Sequence, residues 1–185
     1  QRYLEVYGPA GEFNENVAYA GATRLPVTYF AAHRYHTGGG DNHLARHPFP
    51  QTCRWYMHFA APPGRLAAFG DSHPEAAPHT DHLAAVAAAA GDKLLQWFYL
   101  NMPGNPLACS PALELLYFDD TVPPQSPKEN LSLGQAYPAH HGCITSRATW
   151  DKKSTPSLVF AKAGHGSEGH GHHDAGQLTL DGLGQ

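Results

Sequence analysis

The hydrophobic pattern divides the chain into two parts. Over most of the first 120 residues, apolar and aromatic positions recur at three- and four-residue spacings, as on helices that bury one face. Residues 17–35 are predicted helical. Pro26 is set to kink or divide that segment, because a proline inside a helix removes a backbone hydrogen bond. Gly38-Gly39-Gly40 ends it. A second helix is predicted over residues 43–60, with Pro48 and Pro50 near its start and Pro62-Pro63-Gly64 as its stop. Residues 65–78 read as loop. Thr80 is predicted to cap a helix over residues 81–90, where acidic Asp81 suits the first turn. Gly91 separates it from a helix over residues 92–100, and a shorter helix is predicted over residues 111–118.

Val122-Pro-Pro-Gln-Ser-Pro127 then reads as a linker or domain edge. After it come short strand-like runs at residues 130–137, 142–149, 157–162 and 176–183, separated by glycines and prolines as in antiparallel β structure. The expected architecture is α+β and multidomain, with a helical region over residues 1–122 and the opening strands of a β domain over residues 123–185. No internal repeat is present. The one biased segment is Gly164-His-Gly-Ser-Glu-Gly-His-Gly-His-His-Asp174.

Composition narrows the function classes. The chain has 185 residues, 42% of them apolar and 15% charged, so it can build a sizeable core. A formal net charge of -4 argues against a polybasic nucleic-acid grip. The longest apolar run, residues 83–90, falls far short of the roughly 20 residues that span a bilayer. The chain opens at Gln1 rather than Met and stops within a strand-like run, so the expectation is a piece of a longer protein. Cys53, Cys109 and Cys143 are widely spaced, form no C-x-x-C pair, and are expected as buried thiols. Histidine stands out, with 14 residues. Histidine ligates metals, shuttles protons and changes charge near neutral pH.

Four segments carry side chains suited to chemistry. In His170-Gly-His172-His173-Asp174-Ala-Gly176, an extended backbone would turn His170, His172 and Asp174 to one face. Two imidazoles and a carboxylate together suit zinc binding or general-base work; the same residues also fit a His/Gly-rich loop of weak metal affinity. In Gly11-Glu-Phe-Asn-Glu15-Asn16-Val-Ala-Tyr19, Glu15 and Tyr19 stand four apart and would share a helix face. A tyrosine beside a carboxylate and amides can exchange protons, or simply pack. Phe69-Gly70-Asp71-Ser72 reads as a turn brace. Arg147, in Ser146-Arg147-Ala-Thr-Trp150-Asp151, can pair bidentately with a substrate carboxylate or close a domain-interface salt bridge. Trp55, Trp97 and Trp150 fit core or interface packing, or stacking on sugar rings.

Taken in order, these segments resemble the heparinase II/III-like polysaccharide lyases, which include the oligo-alginate lyases. The resemblance rests on Glu15-Asn-Val-Ala-Tyr19, Pro63-Gly64-Arg65, Phe69-Gly70-Asp71-Ser72, Arg147-Ala-Thr-Trp150-Asp151, Phe160-Ala-Lys162 and His170-Gly-His172-His173-Asp174-Ala-Gly176, spread over nearly the whole chain. Asn16 stands where the family commonly has glycine, and Gln177-Leu178 replaces its usual Ser-Phe. The resemblance implies the C-terminal part of an (α/α) toroid followed by the first strands of an antiparallel β-sandwich. It also implies cleavage of uronic-acid-containing glycans, such as alginate or glycosaminoglycans, by β-elimination. Tyr19 would be the catalytic acid, and perform base work according to the epimer cut. His170 would assist as base or charge stabiliser, with Glu15, Asn16 and Arg147 shaping the substrate site. His172 would help to bind a structural zinc whose other ligands lie beyond Gln185. The partner implied is an acidic polysaccharide or oligosaccharide, and the location periplasmic or secreted. The other readings are a non-catalytic carbohydrate-binding protein on the same scaffold, a His-rich metal-binding protein, and a metallohydrolase.

Overall fold

The computed structural model describes residues 2–15, 17–61, 64–73, 76, 79–102, 110–151, 157–164, 172 and 175–182. Within these the fold is α+β: five α-helices, then a four-stranded antiparallel sheet, with a two-stranded hairpin between the second and third helices.

The helices begin and end where local chemistry dictates. A 3₁₀ turn at Tyr19–Thr23 leads into α1, Arg24–His36. Pro26 falls in the first turn of α1, where its missing N–H has no helical partner to lose. The predicted segment is therefore divided ahead of the proline, not kinked at it. Pro50 occupies the same kind of position in α2, Phe49–His58, after a separate 3₁₀ turn at His43–Ala45. Ala60–Ala61 (β1) and Arg65–Leu66 (β2) pair antiparallel, so the expected loop after residue 64 opens with a strand.

Helix α3, Thr80–Ala90, starts one residue earlier than predicted. His79 takes the N-cap position, with no side-chain bond that caps the helix. Gly91 closes α3 at φ 60°, a left-handed conformation that glycine adopts without a Cβ penalty. Asp92 then caps α4, Lys93–Asn101, accepting from the N–H groups of Leu94 and Leu95 at 3.0 and 3.1 Å. Helix α5 runs Pro111–Tyr117, capped by Ser110.

Strands β3 (Gly134–Tyr137), β4 (Cys143–Arg147), β5 (Leu158–Lys162) and β6 (Gln177–Asp181) form a meander in sequence order. Burial alternates along β4 and β5 as a half-buried sheet requires. Thr145, Arg147, Leu158 and Phe160 face inward. Ile144, Ala161 and Leu178 align across three strands on the outer face, and Ile144, Leu178 and Leu180 are exposed there.

Helices and sheet share one core. Phe59, just after α2, stacks on Phe160 of β5 with centroids 5.9 Å apart and lies 5.5 Å from the Tyr137 ring of β3. Phe69 meets Phe160 edge-on. Polar bonds reinforce the same junction: Arg65 Nη2 to Asp181 Oδ2 at 2.6 Å, and Gln177 Nε2 to the Ala68 carbonyl at 3.2 Å. Cys53 and Cys143 are buried, and burial pushes the Cys53 thiol pKa up. Cys109 lies outside the described residues. Among the described residues, no helix is long and apolar enough to cross a membrane.

Candidate functional site

The stretch after β2 runs along the helix–sheet junction, and its turn at residues 69–72 is the base of the site. Gly70 sits at φ 57° and the Ser72 N–H closes the turn on the Phe69 carbonyl at 3.1 Å. Phe69 points into the shared core while Asp71 is exposed at the surface. A sequence order of apolar, glycine, acid, hydroxyl thus anchors one end of a tight turn and presents a carboxylate at the other.

That carboxylate joins two distant parts of the chain. The Tyr19 hydroxyl donates to Asp71 Oδ2 at 3.3 Å, across 52 residues of sequence. His172 Nε2 lies 2.7 Å from Asp71 Oδ1, across 101 residues. Beside it, Ser72 Oγ accepts from the Ala18 N–H at 3.3 Å, immediately before Tyr19 in the chain. Tyr19, from the helical part, and His172, from the His/Gly-rich segment, therefore meet on one acidic side chain.

The local electrostatics set the state of the tyrosine. Partial desolvation raises the Tyr19 pKa above its usual value, and the Asp71 charge and hydrogen bond and the Glu15 charge raise it further. Tyr19 holds its proton at neutral pH. Glu15 reaches Tyr19 by charge from a bend, not along a shared helix face, because the 3₁₀ turn begins only at Tyr19.

Arg147 occupies a different place from the one that a substrate-carboxylate partner needs. It is 7% exposed, and its Nη2 donates to the carbonyls of Met57, His58 and Ala60 at 3.2, 2.8 and 3.1 Å. Its guanidinium carbon lies 3.7 Å over the Trp150 ring. It binds the carbonyl end of α2 to strand β4, and burial lowers its pKa to about 10. Its hydrogen-bond partners are backbone carbonyls, not a carboxylate. Trp55 and Trp150 are buried in the packing, and Trp97 is half-buried.

Asn16, His170, His173 and Asp174 lie outside the described residues. Of the expected site residues, the structure thus brings Tyr19, Glu15 and His172 together and sets Arg147 apart. Asp71, which the sequence presents as a turn brace, is the residue that joins them. The sequence signals for it were the acid of a Gly-Asp-Ser turn and the place of that turn in the lyase resemblance, and neither names a partner.

Where Nε2 carries the proton, His172 gives it to Asp71 and keeps the Nδ1 lone pair, and histidines on zinc ordinarily hold a carboxylate through their other nitrogen. Among the described residues, no group of three or more His, Cys, Asp or Glu side chains could hold a metal ion.

No protein-family model and no curated protein matches the chain.

Proposed function

We propose that the protein is a polysaccharide lyase that cleaves uronic-acid-containing glycans by β-elimination, with Tyr19 as its proton donor. The observation that carries this reading is the meeting of Tyr19 and His172 on Asp71. Residues from the two ends of the chain that the lyase resemblance names as catalytic and zinc-side converge on one spot at the helix–sheet junction.

The chemistry follows from the protonation state of Tyr19. In β-elimination a base takes the C5 proton of the uronate, the C4–O bond breaks, and the electron pair left by the proton becomes the C4–C5 double bond. The departing oxygen needs a proton. A tyrosine whose pKa is raised enters the reaction as O–H and suits that transfer. The base falls to a second group, and the resemblance puts His170 there. Glu15 and Asp71 add negative charge beside Tyr19, so neutralising the substrate carboxylate requires cationic or donor groups from elsewhere in the site. Zinc, when bound by His172, would supply a fixed anchor for the His/Gly-rich segment. Tyr19 and Asp71 would still hold and deliver the proton.

We read the architecture as part of a helical toroid followed by part of a β-sandwich. The exposed row of Ile144, Leu178 and Leu180 on the outer sheet face suits a second sheet, and exposed Leu25, Tyr29, Leu115 and Leu116 suit further helices. An acidic polysaccharide or oligosaccharide is the proposed partner, and a periplasmic or secreted location goes with that substrate.

The test is to incubate the full-length protein with a panel of uronic-acid polymers and oligomers and to follow the ultraviolet absorbance of the C4–C5 double bond. A rising signal on one polymer supports the reading. Folded protein that is silent on every polymer counts against it and favours a binding role.

A further inference from the structure

The turn at residues 69–72 holds Tyr19 at two points. Ser72 fixes the backbone under it through the Ala18 N–H at 3.3 Å, and Asp71 fixes its hydroxyl at 3.3 Å. The turn is itself anchored, since Phe69 is buried against Phe59 and Phe160. The second oxygen of Asp71 takes His172 at 2.7 Å, across the helix–sheet junction. One carboxylate therefore contacts both the phenol oxygen and the His172 imidazole.

We propose that Asp71 is the positioning residue of this site, one carboxylate oxygen holding the Tyr19 hydroxyl and the other holding the His172 imidazole, with Ser72 seating the backbone beneath Tyr19. Its consequence for turnover rests on the lyase reading; its contact with Tyr19 does not. The carboxylate touches neither the breaking bond nor the C5 proton in this scheme, so it acts through Tyr19 and His172. Misplacing a proton donor by about 1 Å is enough to slow a reaction about 100-fold. An exposed carboxylate at a turn tip can be replaced without opening the core, which makes the variant informative.

The experiment uses the full-length protein and its Asp71→Asn, Asp71→Glu and Ser72→Ala variants. Two readouts are taken: kcat and KM from the double-bond absorbance, and the ionisation of Tyr19 from the tyrosinate absorbance, isolated by subtracting a Tyr19→Phe titration. Asp71→Asn is expected to lower kcat about 10- to 100-fold, leave KM within about threefold and Tm unchanged, and move the Tyr19 midpoint down. Asp71→Glu should recover part of kcat, and Ser72→Ala should lower kcat by a smaller factor. An Asn variant with the parent's kcat and an unmoved Tyr19 midpoint overturns the proposal. So does a fall in kcat that tracks a fall in Tm while the midpoint stays put, because that is a folding effect. If the parent forms no double bond on any uronide, the lyase reading fails, and the Tyr19 midpoint alone decides whether Asp71 holds the phenol.

Discussion

Arg147 makes the contacts whose loss the fold should register most clearly. Its guanidinium satisfies three backbone carbonyls, two at the end of α2 and one in β1, while covering the Trp150 face. Truncation strips those carbonyls of a donor in a place that water enters poorly. Arg147→Ala is expected to destabilise the protein by about 3 kcal/mol in urea denaturation. Arg147→Lys should recover only part of the loss, since an ammonium offers N–H donors to those carbonyls but cannot lie flat on an indole. A lysine variant as stable as the parent would contradict this role. His58 and His82 make a second residue-scale prediction. Burial lowers the His58 imidazole to about 4, with the Arg147 charge adding, and lowers His82 to about 3, with His79 and Arg24 adding. Both are neutral in the folded protein at pH 7, whereas in the unfolded chain they take up protons near pH 6.5. The unfolded state therefore binds more protons below about pH 6.5, and stability falls as pH drops from there towards 4 and 3. The urea midpoint should be lower at pH 5 than at pH 7, and His82→Leu should remove part of that difference. An equal drop in parent and variant would show that His82 has no part in it. None of these partners is written in the sequence. Arg147 reads equally as a ligand for a carboxylate, and Asp71 as a turn brace, because the groups that their side chains hydrogen-bond lie 52 to 101 residues away and are brought there by packing.

At the scale of the element, local chemistry accounts for most of what was legible. Gly91 and Asp92 mark the end of α3 and the start of α4 because the left-handed cap and the carboxylate cap are short-range devices. Asp92 does more than its position in the sequence implies: its second oxygen takes Arg54 of α2, with Nη2 at 2.6 Å and Nε at 3.1 Å. Asp92→Ala should cost about 1 to 2 kcal/mol, mostly from the cap, because Arg54 is half-exposed and water screens the pair. Asp92→Asn should keep most of the cap and lose only the ion pair; a loss as large as alanine's would put the weight on Arg54 instead. The four strands of the meander were legible as short strand-like runs punctuated by glycine and proline, although β3 starts at Gly134 and not at residue 130, since a 3₁₀ turn at Pro127–Glu129 and bends occupy the intervening chain. Strand β2 was not legible. Two residues carry no periodicity, and only pairing with β1 makes them a strand.

For the whole molecule, helices and sheet meet along one junction. Phe59, Phe69, Tyr137 and Phe160 close its apolar part, Arg65 and Arg147 tie its polar part, and the Tyr19–Asp71–His172 group sits at its surface. A change of period near residue 122 was enough to expect helices before strands. It could not show that the two pack into one core, because that depends on which aromatic rings meet. The most direct measurement of the central claim compares the full-length protein with its Tyr19→Phe variant on the uronide that gives the strongest double-bond signal. The account predicts that the variant keeps its fold and Tm while the rate of double-bond formation falls by about 100-fold or more, as the loss of a proton donor requires. A phenylalanine variant that forms the double bond at the parent's rate would remove Tyr19 from the chemistry and contradict the account.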